Sequence, residues 1–159
     1  NRRILILSER RNLLTDIETY IINKNILNKD YGYYVGGMKQ ADLNVSAEKQ
    51  IILATYQLAS EGFNVPTLNT VIFASPISDI QQSIGRILRE RPEDRKYIPL
   101  CIDILDEFSV FKRKGYARAK FYNTNKYNIS YYQDNELIQF HNYSEEETKG
   151  KVKFIEDDD

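Results

Sequence analysis

Gln82-Ser-Ile-Gly85-Arg86-Ile-Leu-Arg89 sets two arginines three residues apart. On a helix that spacing sends both side chains from nearly one face. A guanidinium is planar, permanently charged and rich in N–H donors, so a fixed pair suits a polyphosphate held by a neighbouring domain. Gly85 leaves room for close packing or for another chain to approach. The plainer alternative is a surface helix with solvated arginines. About twenty residues upstream, Ala54-Thr55-Tyr-Gln-Leu-Ala-Ser60-Glu61-Gly62-Phe-Asn64-Val-Pro66 runs from a strand end into a Gly-bearing loop. Small hydroxyls and exposed amides in such a place bind phosphate without reading bases. A third stretch, Ile4-Leu-Ile-Leu-Ser8-Glu-Arg, opens the chain and also ends in a hydroxyl.

The elements that must position these groups follow from apolar pattern. Continuous apolar runs at Ile4–Leu7, Ile51–Thr55, Thr70–Ala74 and Pro99–Ile104, with Tyr31–Val35, predict buried strands. Leu13, Leu14, Ile17, Ile21 and Ile22 recur at helical spacing and predict a helix from about Arg11 to Lys24. Asn28 to Asp30 forms a turn. Ser46 is expected to open a short helix, although it lacks the Glu or Gln of a capping box. Ser60–Pro66 is loop chemistry. Ser78 or Asp79 caps a helix running to about Glu90, with Ile80, Ile84, Ile87 and Leu88 on its apolar face and Pro92 ending it. A helix from about Ser109 to Tyr122 follows, and Tyr127–Gln133 reads as an outer strand or hairpin arm. Strands alternating with helices predict an α/β fold with a mostly parallel sheet, whose functional loops sit at the carboxyl ends of the strands.

In that order and spacing, the three stretches resemble motifs IV, V and VI of superfamily 2 helicases. The resemblance spans Ile4 to Arg89 and extends to about Asp103, and the phrasing is most similar to the DNA-helicase branch of large DNA viruses and phages. It implies a RecA-like three-layer sandwich, the second motor domain of a two-domain ATPase. The partner it implies is an N-terminal RecA-like domain of the same polypeptide, carrying the phosphate loop and most contacts to ATP and Mg²⁺. Arg86 and Arg89 would then be arginine fingers, and Gln82 would orient the nucleotide or couple it to nucleic acid. Gly62 and Asn64 fall where family members touch the ribose or the attacking water. Ser8, Gly37 and Thr55 match positions that hold the DNA or RNA backbone. Asn64 departs from the family's usual Asp. It still accepts a hydrogen bond but brings no charge to Mg²⁺ or water.

Other stretches imitate sites. Gly32-Tyr-Tyr-Val-Gly-Gly37-Met38-Lys39 approaches a phosphate-binding loop but has Met38 at the Lys position and Gln40 where Ser or Thr belongs. A strand with a tight Gly turn is the better reading. Cys101-Ile-Asp103-Ile-Leu-Asp106-Glu107 reads as a strand end and helix cap, with Asp103 available to orient Arg86 or Arg89 and Cys101 an apolar filler. Lys112, Arg113, Lys114, Arg118 and Lys120 interleave with Tyr116, Phe121 and Tyr122. Arg118 is the candidate there for a nucleic-acid path, while the aromatics read as buried. His141 has no evident chemical partner.

The chain has 159 residues, 42% hydrophobic and 28% charged, which suits a folded domain and not a disordered one. A net charge of -1 excludes a strongly basic coat but leaves room for a local groove. Residues 144–159 carry seven acids against three bases, so the body before them, residues 1–143, is positive and the tail is expected to be mobile. One Cys and one His exclude an internal disulfide and fall short of a Cys/His zinc site. No apolar run approaches a membrane span, so an intracellular setting is expected. Abundant Ile, Asn and Tyr without Trp fit AT-rich coding DNA. The start at Asn1 reads as a piece of something longer. Two alternatives to the motor domain stand: a catalytically degenerate module that binds or scaffolds, and a translocase that remodels nucleoprotein without unwinding.

Overall fold

Strand β1 spans Ile4–Ser8, and every residue after Ile4 is buried. Four more parallel strands build a sheet around it: β2 (Tyr31–Tyr34), β3 (Ile51–Thr55), β4 (Thr70–Phe73) and β5 (Leu100–Asp103), in the order β2-β3-β1-β4-β5. Register fixes which residues share a face: Ile6 lies beside Leu53 and Ile72, and Leu7 beside Ala54 and Phe73. The computed structural model describes residues 1–25, 30–60, 63–106 and 108–141. The tail from Ser144 and most of the turn expected at Asn28–Asp30 lie outside them.

Helix α1 (Arg11–Asn23) covers one face, where Leu14 and Ile21 join Ile6, Ile51, Leu53 and Val35 in a buried cluster. Helices α3 (Tyr56–Ser60) and α4 (Gln81–Ile87) lie with β3 and β4, and the Tyr56 ring stacks on Phe73, which points to the other face. Helices flanking a parallel sheet make the α/β fold that the strand pattern predicted.

Three elements differ from the sequence expectation. Helix α2 (Gln40–Ala47) places Ser46 near its end, not at its start. Only Leu43 and Ser46 of that helix are buried, so it carries almost no apolar period to read. Helix α3 fills the stretch between the strand end at Thr55 and the loop expected from Ser60, where the pattern predicted no element. Helix α4 stops at Ile87, short of Glu90, and beyond its end the Arg95 guanidinium donates to the carbonyls of Leu88 and Glu90.

The chain divides into two units, Asn1–Arg118 and Ala119–Asp159, with helix α5 (Ser109–Thr124) crossing the boundary. In the second unit β6 (Ile129–Gln133) pairs antiparallel with β7 (Glu136–His141), which confirms the hairpin arm. Asp134 and Asn135 turn it with φ of 49° and 67°, the left-handed pair that a two-residue hairpin favours. Phe121 packs against the Tyr122 and Tyr127 rings, whereas Tyr116 is exposed, contrary to the expected burial.

Candidate functional site

Two groups of residues gather near α4 and the carboxyl ends of the strands. The first joins the loop after α3 to the end of α4. Arg86 donates from Nη1 to the Phe63 carbonyl and from Nη2 to the Ser60 carbonyl at 3.2 Å. Its side chain lies against the Phe63 ring, 6.0 Å from the centroid, and is only 9% exposed. Burial lowers its pKa, and the nearby Arg89 charge adds to that. Arg89 follows the helix, is exposed, and donates to the Asn64 side-chain oxygen. The structure therefore brings Asn64, Arg86 and Arg89 together. It also corrects the solvated-arginine alternative for Arg86, whose guanidinium is packed and bonded. Gln82 is exposed on α4, and Gly62 lies outside the described residues. A Cβ at Gly85 meets nothing within 4 Å, so no described segment uses the room left there.

The second group lines a recess of about 490 Å³ at the ends of β1, β3 and β4. Glu9, Arg11, Thr55, Gln57, Ile77 and Lys114 are among its walls. Arg11 is pinned by donating to the Gly36 carbonyl, and Lys114 Nζ donates to the Pro76 carbonyl at 3.2 Å. Thr55, expected to hold phosphate, is a wall residue. Gly37 follows Gly36 in the turn after β2 with φ 85°, a conformation that glycine adopts freely. Ser8 is fully buried, and its hydroxyl both donates to the Arg10 carbonyl and accepts from the Arg10 N–H, each at 3.0 Å. In this structure the Ser8 hydroxyl shapes the β1–α1 turn and does not line the recess.

The loop between β4 and α4 is held by side chains from other elements. Tyr56 Oη donates to the Ser75 carbonyl at 2.7 Å, and Arg118 Nη1 to the Ile77 carbonyl at 2.5 Å. Burial pushes the Tyr56 phenol pKa up. Arg118 is 1% exposed and its Nε sits 2.8 Å from Asp103 Oδ2. Two expectations are corrected here. Asp103 pairs with Arg118, not with Arg86 or Arg89, and Arg118 is an interior anchor, not a groove residue. The signal was present in the sequence as a strand-end acid followed by a helix arginine, but spacing alone left the partner open. Lys114, from the same basic run, is the residue that reaches the recess. Asp106 Oδ1 accepts from the Phe108 N–H ahead of α5, as the cap reading expected. Cys101 is half-buried, less enclosed than a core filler. No cluster of three or more metal-ligating side chains occurs among the described residues, and no helix there is long and apolar enough to cross a membrane.

Fold and loops together define a RecA-like α/β domain of the helicase type. Residues 1–91 match the helicase conserved C-terminal domain, and the chain belongs to that family. A protein of Acanthamoeba polyphaga mimivirus, named "Putative ATP-dependent RNA helicase", is 37% identical over 139 residues. That alignment covers 87% of this chain and 26% of the relative, so the chain spans about a quarter of that protein's length. The solved C-terminal part of the Fun30 ATPase domain shares the fold, with a TM-score of 0.55 at 15% identity over 73% of this chain and 38% of that one.

Proposed function

We propose that this chain is the C-terminal motor domain of an ATP-dependent superfamily 2 helicase or translocase, placed within the cell. It closes on an N-terminal RecA-like domain of the same polypeptide, with ATP and Mg²⁺ between them and a DNA or RNA backbone across the recess. The observation that carries the reading is the convergence of Asn64, Arg86 and Arg89 on one loop-to-helix corner. That corner offers guanidinium and amide groups, and no carboxylate-rich metal cradle occurs among the described residues, so it fits the anionic end of a nucleotide whose metal is held elsewhere.

Within that reading the two arginines divide the work. Arg86 ties the loop carbonyls to α4, which sets where the corner stands. Arg89 is exposed and, among the described residues, held only through a neutral side-chain amide, so it is the one able to swing to a phosphate and stabilise the charge that builds during phosphoryl transfer. Gln82, exposed about one turn before Arg86, orients the nucleotide or relays its state. By their place in the motif, Gly62 and Asn64 are assigned to the ribose or the attacking water. Ser8 and Gly37 set the turns beside the recess, and Thr55 offers it a hydroxyl. The likeness to a helicase of a virus supports a viral setting, and that relative's name refers to RNA.

The test is nucleic-acid-stimulated ATP hydrolysis by the full-length parent. Arg89→Ala lowers turnover by ~10³-fold or more with the fold intact, as arginine fingers do. Unchanged turnover removes Arg89 from that role. No hydrolysis by the native parent favours the degenerate binding module, for which Asn64 in place of Asp is the specific observation.

A further inference from the structure

A carboxylate stands in the recess that the proposed function gives to a polyanion. Glu9 is an exposed wall residue immediately after β1, and its backbone is fixed because its N–H donates to Ser75 Oγ at 2.8 Å. Two cations share the same walls. Neither is paired with it: Arg11 is turned to the Gly36 carbonyl and Lys114 to the Pro76 carbonyl. The carboxylate has no hydrogen-bond or ion-pair partner among the described residues.

Phosphate oxygens accept hydrogen bonds and repel a carboxylate, so Glu9 weakens any ligand that is phosphate alone. A sugar-phosphate backbone offsets that repulsion by presenting a donor beside its phosphates. Deoxyribose has none within a strand. Ribose has the 2′-hydroxyl, which donates as well as accepts and distinguishes RNA from DNA at a given site. A carboxylate that shares a recess with two cations and a threonine hydroxyl is therefore matched to the alternation of phosphate and 2′-hydroxyl along an RNA strand.

Resting on the motor reading above, we infer that the recess binds single-stranded RNA, with Arg11, Lys114 and Thr55 on the phosphates and Glu9 accepting from a ribose 2′-hydroxyl. Glu9 is thus the residue that selects ribose. Lys114, supplied by α5 beyond the matched residues 1–91, completes the phosphate grip.

The experiment measures binding of the full-length parent to three labelled strands of one length: oligouridylate, oligodeoxyuridylate and 2′-O-methyl oligouridylate. The base is the same in all three, and the methylated strand keeps a ribose but loses the donor. The native protein is expected to bind the ribose strand about tenfold or more tightly than either other strand, the usual scale for a hydrogen bond to a charged acceptor. Glu9→Ala is expected to bring the three affinities together, chiefly by loss on the ribose strand. Glu9→Gln, which keeps an acceptor oxygen, is expected to retain part of the preference. Glu9 is exposed, so both variants should fold, which circular dichroism checks. Equal native affinity for all three strands overturns the inference while leaving the motor reading intact. So does Glu9→Ala changing all three alike, which marks the carboxylate as a repeller only. If the native parent binds no strand at all, the motor reading itself fails and this inference with it.

Discussion

Arg118 carries a full charge into the interior, and Asp103 makes that tolerable. Their pairing is geometrically close, with both carboxylate oxygens within 3.0 Å of Nε, and the Ile77 carbonyl takes a further donor. Removing one partner of such a pair leaves the other charged and buried, which costs ~3–5 kcal/mol, whereas exchanging both for apolar groups can be nearly neutral. Asp103→Ala is therefore expected to lower the urea midpoint of the isolated chain strongly, and Asp103→Leu with Arg118→Met to recover most of the loss. A small effect of Asp103→Ala would show that water or another acceptor already serves Arg118. The same two residues show what sequence reading reached at this scale. The types and positions of Arg86, Arg89 and Asn64 were legible because a spaced motif names them. The fate of Arg118 and Ser8 was not, because burial depends on which strand end a helix lands over, and no local pattern encodes that. Glu9 lies within the opening stretch, but its placement beside Arg11 of α1 and Lys114 of α5 is set by the fold and not by any local pattern.

Between elements, the contacts that matter are close approaches that only small residues permit. In β2 a Cβ on Gly32 would sit 2.8 Å from the Ser46 Cα on α2. Backbone cannot swing aside as a side chain can, so the helix must shift. Gly32→Ala is expected to destabilise the chain by ~1–3 kcal/mol, the usual range for overpacking. Gly85→Ala is the contrasting case. Its Cβ meets nothing within 4 Å inside a helix, so it is expected to stabilise by ~0.5–1 kcal/mol through helix propensity. Denaturant midpoints measured side by side separate the two, and equal shifts would refute the close-packing account of Gly32. Strands were readable in advance because buried parallel strands are continuous apolar runs, as in Ile51–Thr55. The misread elements were short helices. Helix α2 has almost no buried face, and α3 is five residues long between a strand and a turn-rich loop, so tertiary placement and not periodicity makes them helical.

For the whole molecule, the bearing observation is the share of a longer relative that the chain spans. The chain covers 26% of a relative that matches it along 87% of its own length. Its proposed contributions to catalysis are guanidiniums and an amide, and a phosphate cradle with paired magnesium ligands would have to come from another domain. On that ground the isolated chain is expected to show no ATP turnover. It retains the recess, however, and on the proposed reading is expected to keep a weak hold on single strands. Two cationic phosphate contacts, from Arg11 and Lys114, release a comparable number of counterions, at ~0.7 per contact on a single strand, which gives log K against log salt a slope of about -1.4. Affinity should then lie in the ~10⁻⁴–10⁻⁶ M range of sequence-independent binding and fall as salt rises. Lys114→Ala should flatten the slope by somewhat less than one, because it deletes a single contact. Fluorescence anisotropy across a salt series reads all of this in one titration. Tight binding that ignores salt, or ATP turnover that survives removal of contaminating ATPases, would mean the chain works by something other than a phosphate grip shared with a partner domain.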